Sequence, residues 1–184
     1  MERFYRVQEK GSRLRYHNSY LLCVKDLDDA RVPAVDWYGE DCDLWEVIGE
    51  PVSELLEYWT SKSLKSYLVK VKRAEVVGTV TWKGEILLRD GRRVKPKKRW
   101  LRSLINYTNG TIFSVTFTKR TTGEERKMVC RTGVRKGVKG VGMSYDPKEK
   151  DLVVVFDMQK KGFRTIPLEG IKEIKVRGLR YITQ

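Results

Sequence analysis

The alternation of apolar and polar positions along this 184-residue chain changes period several times, and each change marks an element. "FYRVQ" (4–8) alternates with the two-residue period of a strand, and "SYLLCVKDL" (19–27) does so again after a polar turn around Asn18. "VPAVDWYGEDCDLWEVIGE" (32–50) carries β-branched and aromatic residues around a Gly-Glu-Asp turn, which predicts a hairpin or two short strands. The period then lengthens. Val52, Leu55, Leu56 and Trp59 fall at i, i+3, i+4 and i+7, the stripe of an amphipathic helix opened by Pro51, where a missing N–H costs nothing. From Tyr67 the chain alternates again, with Val69 and Val71 against Lys70 and Lys72. "TWKGEILLRDGRRVKP" (81–96) predicts paired strands about a tight Asp90-Gly91 turn.

Pro96 opens a second predicted helix, with Trp100, Leu101, Leu104 and Ile105 as its apolar face and Asn109-Gly110 as its stop. Its first turn holds Lys97, Lys98 and Arg99, cations that oppose the helix dipole. Such a local conflict points to a use for positive charge. Beyond it, "TIFSVTFTKR", the turn "TTGEE", "RKMVCRTGV", "LVVVFDM", "FRTIPL" and "IKEIKV" read as five short strands joined by tight turns. The run 152–158 is apolar apart from Asp157, as in a strand buried on both faces. The expected fold class is therefore α+β and mainly β, with three parts: an acidic β/α module (1–62), a basic hairpin-and-helix connector (63–108) and a small barrel or sandwich (109–184).

The segments "VTFTKRTTGEERKMVCRTGV", "YDP" and "LVVVFDMQKKGFRTIPLEGIKEI" resemble a phage and prophage family with an Sm-like, SH3-like β-barrel, related to the C-terminal part of WYL domains. The likeness covers residues 97–177 and rests on a helix, two hairpins and a final strand in that order. It implies an SH3-like barrel, a bacterial host cell and a module that senses nucleic acid or nucleotides. It also places Arg126, Arg131 and Arg164 at the family's basic positions. No helix-turn-helix accompanies it, and the first sixty residues lie outside it.

Charge sharpens this picture. The chain carries +14 overall, but residues 1–60 hold 7 Lys and Arg against 13 Asp and Glu, whereas 61–184 hold 31 against 11. A basic region of this kind suits an anionic partner, and internal neutralisation between the halves is the plainer alternative. Two clusters stand out. "RRVKPKKRWLR" offers Arg92, Arg93, Lys95, Lys97, Lys98, Arg99 and Arg102, and "CRTGVRKGVKGVG" (130–142) offers Arg131, Arg135, Lys136 and Lys139 among four glycines. Gly137 and Gly142 have Walker spacing but are followed by Met143 and Ser144, so the phosphate-binding lysine is absent. The dinucleotide pattern fails too, because Tyr145 stands where its third glycine belongs. What remains is a loop suited to contacting a phosphate backbone or to a plain solvated turn.

Catalytic chemistry finds little material. His17 is the lone histidine and sits in a turn; Asp41, Asp43 and Glu46 form an acidic edge that suits a metal, an acid/base pair or simple solvation. Cys23, Cys42 and Cys130 include no CxxC pair and read as reduced, buried thiols. No run approaches the roughly 20 apolar residues of a membrane span, and the N-terminus lacks the apolar core of a leader. The expectation is a cytoplasmic, non-enzymatic protein without cofactor or metal. It would bind DNA, RNA or a nucleoprotein through Arg92, Arg93, Lys95, Lys97, Lys98, Arg99, Arg102, Arg131, Arg135, Lys136, Lys139 and Arg164. Two other readings fit the same features. One is an anti-defence inhibitor, such as an anti-CRISPR protein, docking on a nucleic-acid-guided host effector. The other is a WYL-type nucleotide sensor.

Overall fold

The computed structural model describes residues 1–135 and 142–184. It is mainly β, with two antiparallel six-stranded sheets and few helical turns. The chain divides into two compact units, Met1–Pro96 and Lys97–Gln184.

The first unit begins with β1 (Glu2–Glu9) and β2 (Tyr20–Val24). A helical stretch follows: a 3-10 turn at Leu27–Ala30, the single turn α1 (Arg31–Pro33) and a π-helical turn at Ala34–Tyr38 that ends on Gly39 at φ 64°. Two long strands, β3 (Cys42–Tyr58) and β4 (Ser63–Val80), form one hairpin, and β5 (Ile86–Leu88) and β6 (Arg93–Val94) complete the sheet. β1 lies along Cys42–Gly49 of β3, while β2 pairs with β1 at Tyr5–Val24 and with β4 over Lys70–Ser66. Strands β1 to β4 thus close a ring around Phe4, Leu21, Cys23, Val47 and Val69.

Two expectations fail in this unit. Residues 32–38 are helical rather than a strand, because Arg31 is buried and ties the turns down. Its guanidinium donates to Asp28 Oδ1 (3.1 and 2.9 Å), Gly84 O (2.7 Å) and Val94 O (2.9 Å). Residues 51–59 are not a helix. β3 runs through them, paired from Pro51–Val69 to Tyr58–Ser63, with register shifts at Ile48/Gly49 and Pro51/Ser53. A proline is tolerated at such a bulge. The apolar stripe that suggested a helix is left largely outside, with Val52 58% and Leu56 54% exposed. The division expected at residue 62 also gives way, since the β3–β4 ladder runs across it.

The second unit opens with α2 (Lys98–Tyr107), whose Trp100, Leu101, Leu104 and Ile105 are buried as the stripe predicts. Asn109 (φ 45°) and Gly110 (φ 83°) turn the chain out of it. Strands β7 (Phe113–Thr118), β8 (Glu125–Arg131), β9 (Leu152–Asp157), β10 (Gly162–Pro167), β11 (Ile171–Val176) and β12 (Leu179–Ile182) follow. Their order in the sheet is β10-β9-β8-β7-β11-β12, and a 3-10 turn, Leu168–Gly170, joins β10 to β11. Phe113, Val115, Phe117, Met128, Val155, Ile166 and Ile174 fill the core, and Trp100 meets Tyr181 edge-on at 5.6 Å. Because α2 packs into this core, it belongs to the second unit; the boundary falls after Pro96 and not at 108. β9 is not buried on both faces. Leu152, Val154 and Phe156 are half-buried and alternate with the buried Val153, Val155 and Asp157. β12 is an extra strand beyond the five expected.

Candidate nucleic-acid interface

The division after Pro96 redistributes the charge. The first unit holds 17 Lys and Arg against 16 Asp and Glu, a net +1; the second holds 21 against 8, a net +13. The acidic β3 and the basic β4 neutralise each other across their ladder, as Glu54 and Lys65 do at 3.2 Å. The basic character of the chain is a property of the second unit.

Within that unit the strand registers sort the charges along the sheet. Cys130 faces Phe113 and Asp157, Gly162 faces Asp157, and Val176 faces Phe113 and Leu179. β8 and β11 run one way and β7 and β9 the other, so the exit from β8 and the β11–β12 turn share one end of the sheet, whereas the β9–β10 turn leaves Asp157 beside Cys130 and runs back alongside Val129, whose carbonyl accepts from Met158 N (2.9 Å). These segments carry Arg131 and Arg135, Lys160 and Lys161, and Arg177; Arg164 lies two residues into β10. Glu124 and Glu125, Asp151 and Glu169 are each ion-paired: Lys119–Glu124 (2.9 Å), Lys172–Glu125 (2.9 Å), Lys98–Asp151 (2.6 Å) and Arg120–Glu169 (2.5 Å). Glu173, in mid-strand, holds Lys175 and Arg180.

Asp157 ends β9 opposite Cys130 and is turned inward, 1% exposed. It accepts hydrogen bonds from the N–H groups of Gln159 (2.9 Å) and Lys160 (3.0 Å) and from Arg126 Nη2 (2.8 Å). Burial works against its ionisation. Those two N–H bonds and the charges of Arg126 and Arg164 outweigh it, so its carboxyl sits below the usual aspartate range. It shapes the turn that presents Lys160 and Lys161, where Lys161 takes a φ of 50°. Both lysines are exposed, with no ion-pair partner among the described residues.

A row of side chains crosses the less buried face beside Asp157. Arg131 stands opposite Phe156, and Phe156 opposite Phe163, whose rings meet edge-on at 5.4 Å. Arg131 Nε is buried and finds no hydrogen-bond partner among the described residues. Nearby, the C-terminal end of α2 is tied to the end of β8 through Thr108 and Thr132 hydroxyls (3.3 Å), and Arg177 lies over the Tyr107 ring at 5.9 Å. Cations beside half-buried aromatic rings can meet both phosphates and bases.

The residues expected from sequence are only partly brought together. Arg131 stands opposite Phe156, and Arg164 follows Phe163 in β10, so these two flank the aromatic pair; Arg135 lies four residues beyond β8. Lys136 and Lys139 lie outside the described residues. Lys98 is held by Asp151, which supplies the missing negative charge beside the first turn of α2, and Arg102 donates to Leu152 O (2.9 Å). Arg99 and Arg102, with Ser103, Asn106 and Tyr107, line a shallow depression on the helix; Lys97 is the exposed residue preceding that helix. Arg92, Arg93 and Lys95 belong to the first unit, where Arg92 pairs with Asp90 (2.7 Å) and Arg93 with Glu85 (2.6 Å). Sequence reasoning passed over Lys160, Lys161, Phe156 and Phe163. "QKKG" reads as a turn and Phe156 as core, and only the register brings Phe156 and Phe163 into one row with Arg131.

The acidic edge of the first unit has structural partners. Asp43 accepts from Gly11 N (2.7 Å), Asp41 from Trp82 N (3.1 Å), and Glu46 pairs with Arg3 (3.3 Å). Among the described residues no group of three His, Cys, Asp or Glu side chains is placed to hold a metal. No helix of the described residues is long and apolar enough to cross a membrane. Comparison of the chain with protein-family models, with curated proteins and with solved structures yields no match.

Proposed function

We propose that the second unit binds the phosphate backbone of a nucleic acid, largely without reading sequence, through cations that include Arg131, Arg135, Lys160, Lys161, Arg164 and Arg177. The observation that carries this reading is the unit's net charge of +13. Glu124, Glu125, Asp151 and Glu169 are already paired, while Lys160 and Lys161 stand exposed on the turn that leads into Phe163 and the row it forms with Phe156 and Arg131. Each phosphate neutralised releases counterions, and that release drives binding. Phosphate contacts position a protein on nucleic acid without specifying bases.

The same proposal includes a fold: a small SH3-like barrel of the Sm-like type, akin to the WYL-related phage family. The strand order β10-β9-β8-β7-β11 and the 3-10 turn before β11 support it.

The test is fluorescence anisotropy of a labelled oligonucleotide across a salt series. With about five contacts, log K falls against log salt with a slope of about −4.5 on duplex DNA and about −3.5 on single strands. The double variant Lys160→Ala/Lys161→Ala lowers the magnitude of that slope by about two. The control Lys119→Ala/Arg120→Ala, whose cations are held by Glu124 and Glu169, leaves it unchanged. Salt-independent binding, or equal losses from the two double variants, refutes the proposal.

A further inference from the structure

The first unit has a cavity of about 300 Å³ where β1, β2 and the tip of the β3–β4 hairpin meet the helical turns. That volume is at the small end of the range for ligand pockets. Four aromatic residues line it, Tyr5, Trp37, Tyr38 and Trp59, together with Arg6 and Glu57. The π-helical turn Ala34–Tyr38 supplies two of them, and such turns concentrate at functional sites. Trp37 is 76% exposed at the cavity rim, an indole with little to cover it.

The polar groups of the cavity are unbalanced. Arg6 Nη1 donates to Leu22 O (2.7 Å), but its Nε is buried without a partner among the described residues, as is the indole Nε1 of Trp59. Burial, against the nearby charge of Arg6, holds the Tyr38 hydroxyl protonated beyond the usual phenol range, so it too is available as a donor. On the acceptor side, the Glu57 carboxylate is already engaged by Ser66 Oγ. A site rich in donors and walled by flat rings calls for a ligand that is flat and brings acceptors.

We infer that this cavity binds a small planar aromatic or heteroaromatic compound of one or two rings that carries a carbonyl or carboxylate. The ring lies against Trp37 and Tyr38, and the acceptor faces the Arg6 and Trp59 side of the wall. The site belongs to the first unit alone and does not depend on nucleic-acid binding by the second.

The experiment is an NMR titration of the full ¹⁵N-labelled chain with nicotinate, benzoate and uracil, following the indole N–H signals. Cyclohexanecarboxylate serves as the non-aromatic control, and Trp59→Phe assigns the Trp59 signal. Saturable shifts of the Trp59 and Trp37 signals with at least one aromatic probe, and none with the control, are expected. Because Trp37 is exposed, Trp37→Ala keeps the fold and weakens binding by about three- to tenfold through the lost ring contact. Absence of a saturable shift with all three probes, equal shifts with the control, or full affinity in Trp37→Ala overturns the inference.

Discussion

Replacing Arg31 with methionine should unfold the first unit selectively. The side chain is 1% exposed and so is its partner Asp28. The change removes two bonds to Asp28 and the bonds to Gly84 O and Val94 O, which pin the helical turns to the segments flanking β5 and β6. Breaking a buried ion pair from one side costs about 3–5 kcal/mol, because the remaining charge stays in a poorly solvated site. With a urea m-value of about 1.5 kcal/mol/M for a unit of this size, the midpoint falls by about 2–3 M. The assay is urea denaturation followed by circular dichroism, with tryptophan fluorescence in parallel. If the two units unfold as separate steps, only one step moves. The double variant Asp28→Leu/Arg31→Met, which removes both charges, should recover much of the loss, since an apolar pair of similar volume is often as stable as a buried ion pair. A midpoint shift below about 0.5 M in Arg31→Met would refute the claim that this cluster holds the helical turns in place.

Other consequences can be checked alongside it. Asp157→Ala should destabilise the second unit by about 2–4 kcal/mol, since it frees Arg126 and two turn N–H groups, with the loss read from the urea midpoint. Because Asp157 and Asp151 are held below the ordinary aspartate value of 3.8, their contribution is full above that pH. It disappears as the pH falls through their depressed values, so stability measured between about pH 5 and pH 2 should drop on the acid side. Gly170→Ala should cost about 2 kcal/mol or more in thermal denaturation, as its Cβ would fall 2.5 Å from the Thr118 carbonyl oxygen in the sheet. Burial pushes the thiols of Cys23, Cys42 and Cys130 up to about 12. A disulfide reagent should therefore label the native chain slowly and the urea-unfolded chain at once.

The legible parts of the fold were those whose burial follows local sequence. α2 has a proline before it, a four-residue apolar face and an Asn-Gly stop, and it forms as predicted. The hairpins around Asp90-Gly91 and Gly123 were equally plain, because their turns need residues that accept positive φ. Residues 51–59 were misread because helical spacing of Val52, Leu55, Leu56 and Trp59 says nothing about the strand that waits to pair with them. β4 is itself held by β2 over Tyr20–Val24, and that tertiary support overrides the local period. The charge asymmetry was misplaced for a related reason. A cut at residue 60 runs through the β3–β4 hairpin and separates carboxylates from the cations that neutralise them. In the candidate interface, Arg131, Arg135 and Arg164 could be picked from sequence. The row that Arg131 forms with Phe156 and Phe163 could not, because it depends on the register between β8, β9 and β10.

The claim that the second unit carries a cationic surface for nucleic acid is tested most directly by mapping the bound surface. Backbone amide shifts of the ¹⁵N-labelled chain, recorded while a short oligothymidylate is added at low salt, would show it residue by residue. The account predicts the largest changes at 131–135, 159–164 and 177–178, with little change at 119–125 and 168–170. Perturbations centred on 119–125 and 168–170, or confined to residues 1–96, would contradict it.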